Sequence, residues 1–360
     1  MKKHLWLVAI LIIAIALFAA CAPAQEAENP NDGVNAETVT ITDMAGREVT
    51  IPATIEKAYS HGQVSTIMLY QLAPDKLLGW NYELNDLEKA FILEEYQNLT
   101  AYGMGDAVNY EAIIADGPQI VINAGTIDDG AIADADALQE QLGIPVVLLN
   151  GDLDQSAAAF RFLGEILGEE EQAEALATYA EDTLAWLETA VASVPEDAKV
   201  TVYYGNGETS LNTAPAGSSH AQVLDMVGAI NVANLEAGSG SRIDVSKEQV
   251  LEWNPEVVIL NGEPKEDFTA NAAVEAFISD PDYATVSAVQ NNQVYGSPKT
   301  PFSWIDRPPG PNRLIGLRWA FSVIYPDYAD YDMDTVTREF YPLFYHMDLT
   351  DEQMELLMTA

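Results

Sequence analysis

Cysteine occurs once in the 360 residues, at Cys21. Beyond that position the chain has no disulfide, no thiolate nucleophile and no cysteine-held structural zinc. Basic side chains are also scarce. Sixteen Lys and Arg stand against 56 Asp and Glu, a formal net charge of −40, which excludes a nucleic-acid partner in need of a basic face. The same balance fits an acidic or saline exterior as readily as a ligand role. Histidine occurs four times and never as HxxxH or HExxH. No Ser-His-Asp order, pair of carboxylates in distinct environments or phosphate-cradling glycine loop stands out, so no enzyme active site is expected. Two short patterns are set aside. "DYDMD" at 330–334 opens like an EF-hand loop, but Thr335 and Tyr341 occupy the Gly and Glu positions, leaving a solvated acidic turn. "NLT" at Asn98 fits a glycosylation acceptor, a pattern that chance often produces.

One long apolar run is present. Lys2 and Lys3 precede "LWLVAILIIAIALFAA", which stops at Cys21. A basic start, an apolar middle and small residues before a cut make a secretory signal peptide over residues 1–20. Leu17-Phe18-Ala19-Ala20-Cys21 resembles a bacterial lipobox, with Phe18 where Leu, Val or Ile is usual. Cys21 is therefore expected to carry lipid and to begin a flexible tether over residues 21–37, polar and without periodicity. An uncleaved membrane anchor is the alternative. Both readings put the rest of the chain outside the cytoplasmic membrane.

The remainder is 48% hydrophobic and 20% charged when counted with the leader, and its length fits two domains. "TVTITDMAGREVTIP" reads as two strands about a turn at 43–46. Strands "IEKAYS", "KLLGW", "QIVIN" and "IPVVLLN" alternate with helical stretches up to residue 153, the pattern of a parallel sheet covered by helices. Strand signals vanish across 154–195, where Leu176, Ala180, Leu184, Leu187 and Val191 recur at helical spacing. Alternation resumes over 196–360. The two halves also echo each other: "EAIIADGPQIVINAG" at 111–125 matches "EQVLEWNPEVVILNG" at 248–262, with Glu111 over Glu248 and Pro118 over Pro255. The expected fold is α/β: an N-terminal lobe at 38–153 and a C-terminal lobe at 196–360 that includes the last helices. Each has a central, mostly parallel sheet, and a single long helix within 154–195 joins them.

These pieces, together with "TDMAGREVTIP", "LGIPVVLL", "NNQVYGSP" and "PFSWIDRPPGPNRLIGLRWAFSVIYPD", resemble the solute-binding lipoproteins of ABC importers for iron-siderophore complexes, haem and cobalamin. The resemblance covers nearly the whole mature chain. It implies an extracytoplasmic protein that captures an iron(III) complex, delivers it to an ABC permease dimer and performs no chemistry. It also implies a glutamate on each lobe, here Glu111 and Glu248, that docks onto basic residues of the permease. Alternative cargoes are haem, cobalamin, a chelated metal, and molybdate or tungstate. A sensory metal-binding module and a secreted metalloenzyme built on the histidines are the readings from other classes. Arginine, with seven residues in the chain, is thin for an anion site that needs several clamps.

Ligands of parallel sheets sit beyond the carboxyl ends of the strands. That rule selects His61, Trp80 and Tyr204 as candidate contacts; loop position adds Tyr102 and Arg242, and a helix start adds His220. His61 and His220, one from each half, are candidate metal ligands. In "SWIDRPPGPNR" Trp304 offers a stacking surface and Arg307 a fork for a carboxylate, catecholate or oxyanion, unless Asp306 takes the arginine.

Overall fold

The computed structural model describes residues 37–235, 242–262 and 269–359. The expected signal peptide, Cys21 and all but the last residue of the expected tether lie outside these residues. Among the described residues no helix is long and apolar enough to cross a membrane.

Strands β1 (Thr38–Thr42) and β2 (Glu48–Pro52) form the anticipated hairpin, with Thr42 opposite Glu48. Asp43 makes its turn. Its buried carboxylate accepts the backbone N–H groups of Ala45 and Arg47, and also that of Leu148 in the neighbouring sheet. That sheet consists of β3 (Ala58–Ser60), β4 (Ile120–Gly125) and β5 (Val146–Asn150), all parallel in the order β3-β4-β5. The expected "KLLGW" strand is reduced to two single bridges, Ala58 with Leu77 and Trp80 with Ala101. Gly79 explains the break. A Cβ there would lie 2.3 Å from the Thr100 carbonyl oxygen, so the chain leaves β3 and crosses to another segment.

In the second lobe come β6 (Thr201–Gly205), β7 (Asn212–Thr213), β8 (Ile230–Asn231), β9 (Ile243–Asp244), β10 (Val257–Leu260) and β11 (Val294–Gly296). A parallel sheet runs β11-β10-β6-β8, and β7 pairs with β9 antiparallel.

The sequence echo is a structural one. The Tyr110–Asp116 and Lys247–Trp253 helices begin at Asn109 and Ser246, whose side chains accept from the N–H of Ala112 and Gln249. They end at left-handed residues, Gly117 at φ 64° and Asn254 at φ 44°. Each is followed by proline and a buried strand, β4 or β10, because proline cannot continue the helix.

The linking segment differs from a single rod. Ser156–Leu167 and Glu170–Ser193 are two helices, separated where Gly168 adopts a left-handed cap at φ 73°. They touch so closely that a Cβ on Gly164 would lie 2.2 Å from the Ala173 Cβ. The 24-residue second helix spans roughly 36 Å. The C-terminal helices also serve more than the second lobe. Met333–Tyr345 lies against the first-lobe helix Gln63–Leu72, with Tyr345 and Tyr70 ring centroids 6.1 Å apart. Gln71 donates to Asn312 at 3.0 Å. Asp332 in the rejected calcium pattern caps that C-terminal helix by accepting the Thr335 N–H.

Strand periodicity divides the core. Ile120 and Ile122 of β4, with Val202 and Tyr204 of β6, face one apolar interior that also takes in the linking helices and the C-terminal ones. Val121 faces a separate cluster in the first lobe, and Tyr203 one in the second. The two sheets thus turn one face each toward a shared interior.

Candidate functional site

A cavity of about 580 Å³ opens at the carboxyl ends of the strands, between the lobes. The first lobe contributes Gln63 and Val64 from the start of the Gln63–Leu72 helix and Ala124 from β4. The stretch 82–104 adds Tyr82, Leu87, Glu88 and Met104. Glu88 belongs to a capping box: its N–H donates to the Asn85 side chain, and its carboxylate accepts the Asn85 N–H at 2.8 Å. The other carboxylate oxygen accepts the Tyr82 hydroxyl at 2.6 Å.

The second lobe supplies a different surface. His220, Arg242, Lys299 and Arg307 all line the cavity. Asn261, one residue past β10, organises this wall. Its side-chain oxygen accepts from the hydroxyls of Ser297 and Ser303 at 2.8 and 3.2 Å, and its carbonyl accepts Lys299 Nζ at 2.9 Å. Ser303 Oγ in turn accepts the N–H of Asp306. Arg307 has a left-handed backbone, φ 63°, rare outside glycine and held here by the surrounding loop. Asp306 is fully buried and bonds His220 Nδ1 through one oxygen, which fixes the imidazole ring on the wall.

Behind that front layer lie buried polar groups with bonding capacity not fully met among the described residues: Asp306 Oδ2, the Ser218 hydroxyl, and the Tyr204 hydroxyl and Asn206 amide, which face each other. Burial, and then the nearby Asp306 charge, raise the Tyr204 hydroxyl far above the usual phenol range. Buried polar groups in native proteins are nearly always satisfied by protein or water. Such a concentration beside the cavity marks a polar floor.

Of the residues selected from sequence, the structure brings His220, Arg242 and Arg307 to the cavity wall. The others lie elsewhere, for identifiable reasons. His61 stacks against Tyr110 and its Nε2 meets the Tyr110 hydroxyl at 3.1 Å, while burial pushes its pKa below the ordinary value. The two histidines therefore do not share the wall, and among the described residues no three His, Cys, Asp or Glu cluster as a metal site. Trp80 is buried and donates its indole N–H to the Tyr96 carbonyl at 2.7 Å. The Tyr102 hydroxyl donates to Asp116 at 2.6 Å. Tyr204 sits in the polar floor, not at the surface. Trp304 is fully buried, with Gly316 against its carbonyl, so it offers no stacking face. Asp306 turns to His220. Glu111 and Glu248 are exposed at equivalent helix starts, and Glu248 is held acidic by hydrogen bonds to its own backbone and Ser246.

Sequence reasoning passed over Lys299, Glu88 and Met104. Lys299 had a readable signal, since it follows the "QVYGS" strand end. Asn85 and Glu88 carried a capping-box spacing, but nothing there pointed to a cavity.

Residues 65–301 match the family model described as periplasmic binding protein. The molybdate-binding protein MolA of Haemophilus influenzae is 25% identical over 333 residues, 85% of this chain and 90% of that protein. The ferric enterobactin-binding periplasmic protein FepB of Escherichia coli is 28% identical over 191 residues, 51% of this chain and 58% of that protein. Among solved structures, an ABC transporter solute binding protein from Sulfurospirillum deleyianum superposes with a TM-score of 0.79 at 29% identity. It covers 89% of this chain and 99% of its own.

Proposed function

Because the chain belongs to the periplasmic binding protein family, and is an extracytoplasmic binding component of an ABC transporter and not an enzyme, we propose that its cargo is an anionic iron(III) complex of the siderophore type. The charge of the cavity carries this reading. Among the described residues, two Arg and one Lys line the cavity against a single acid, Glu88, in a chain with 16 Lys and Arg and 56 Asp and Glu. The described part of the wall therefore carries more positive than negative side chains in an otherwise acidic chain, which supports an anionic cargo despite the scarcity of arginine. Size favours a chelate over a bare oxyanion. The cavity, about 580 Å³, offers more room than the five heavy atoms of a bare oxyanion fill. Molybdate is the second reading, favoured by the relative whose name records that ligand.

The same proposal has Cys21 lipidated and Glu111 and Glu248 docking on a permease. Two exposed glutamates on helices of one plan suit a partner with twofold symmetry. Charge reversal at both (Glu111→Lys with Glu248→Lys) is expected to abolish uptake in cells and leave ligand affinity unchanged.

Native mass spectrometry and titration calorimetry of the mature protein test the cargo. Ferric chelates binding at micromolar concentration or tighter is the expected result. Molybdate binding in that range while ferric citrate and ferric catecholates fail would overturn it.

A further inference from the structure

We propose that the two lobes divide the ligand between them. The second lobe grips a compact anionic head, and the first lobe covers an apolar body. This rests on the reading of the cleft as the cargo site and adds that the cargo is an amphipathic anion.

All the cations on the wall come from one side. His220, Arg242, Lys299 and Arg307 belong to the second lobe, and among the described residues the opposite wall has no Lys, Arg or His. Val64, Leu87 and Met104 supply that opposite wall with apolar surface, and its acid, Glu88, is occupied by Tyr82 and Asn85. Met104 is 44% exposed at the cavity. A flexible thioether left in solvent on a binding surface adapts to apolar groups of varied shape. The second lobe, by contrast, backs its cations with the buried Tyr204 hydroxyl, Asn206 amide and Asp306 carboxylate, each with bonding capacity not met among the described residues. The second lobe also presents Pro301, Phe302, Pro308 and Pro309, and the first lobe Gln63 and Asn85. The division therefore lies in fixed positive charge on one side and the exposed, adaptable Met104 with Leu87 on the other. It points to a ligand with an oxyanionic or carboxylate-bearing head and an aryl or alkyl body.

The test uses the mature protein and five probes: citrate and 2,3-dihydroxybenzoylserine, each with and without iron(III), and molybdate. Two double variants are compared with the parent, Arg242→Gln with Arg307→Gln, and Leu87→Ser with Met104→Ser. Thermal melts establish that both remain folded. The arginine variant is expected to weaken every probe that binds the parent by about tenfold or more, the loss of one charged contact. The apolar variant is expected to weaken the aryl probes by about tenfold and to leave citrate and molybdate unchanged. Equal weakening of citrate and aryl probes by the apolar variant would overturn the division. So would aryl probes that ignore it, or that fail to bind the parent at all. The iron-free pair separates the two proposals: aryl probes that obey the pattern with no gain from iron would sink the iron reading and leave the division standing.

Discussion

Gly316 lies inside the Arg313–Ile324 helix, where alanine is ordinarily the better residue by about 1 kcal/mol. Propensity alone therefore predicts that Gly316→Ala stabilises the protein. Packing predicts the opposite. A Cβ at this position would lie 1.7 Å from the Trp304 carbonyl oxygen and 2.7 Å from its carbon, against the 3.0 Å below which such contacts essentially never occur. The obstacle is backbone, so it must move bodily by more than an ångström. The helix is buried along most of its length, so the displacement falls on the strut before it, which carries Phe302, Ser303 and Arg307 into the cavity. Overpacking of this kind costs about 1–3 kcal/mol or more, which outweighs the propensity gain. Gly316→Ala is expected to lower the melting temperature by about 1–5 °C and to weaken ligand binding by about tenfold, roughly 1.4 kcal/mol. Differential scanning calorimetry and ligand titration on the same preparation measure both. An unchanged or raised melting temperature would refute the packing argument, and lower stability with unaltered affinity would refute its link to the cavity.

Two further outcomes follow from buried charge. Arg313 is buried and donates only to neutral acceptors, the carbonyls of Gly310 and Gly151 and the Gln222 side chain; burial lowers its pKa to about 10. Arg313→Met is expected to destabilise by about 1–3 kcal/mol in urea titrations, because the lost bonds outweigh the relief of a desolvated cation; a more stable variant would show that desolvation dominates. Burial also lowers the pKa of His61 and His346. The unfolded chain then takes up protons first, so stability is full above about pH 6.5 and falls as acid is added through the lower folded values. His346→Asn, which tolerates the φ of 59° found there, should flatten the decline in melting temperature between about pH 7 and pH 5; an identical slope in both proteins would remove His346 from the account.

Much of the architecture was legible before any coordinates. The paired Glu and Pro positions carried the duplication, because the helix cap, the stop and the buried strand are local devices. Gly168 was legible as a helix end in principle, though helical periodicity on both sides masked it. The site was legible only by address. Strand ends point to the cleft, yet the backbone position of Trp304 says nothing of its side chain, which Gly316 admits into the core. Trp80 and Tyr102 likewise looked available until Tyr96 and Asp116 claimed their polar atoms. The first-lobe wall around Leu87 and Met104 was hidden because it arises from a four-residue helical turn and loops, too short for any periodicity to tell inward from outward. A count of arginines over the whole chain could not show that two of the seven reach one cavity.

The common interior beneath the two sheets has a mechanical consequence. Opening the cleft widely would tear apolar side chains from Phe160, Phe340 and Phe344, or bend a helix of 24 residues. This carrier therefore behaves as stiff tongs with adaptable tips and not as a flytrap. Unloading must be driven by whatever pulls on the tips, since the handle stores little give.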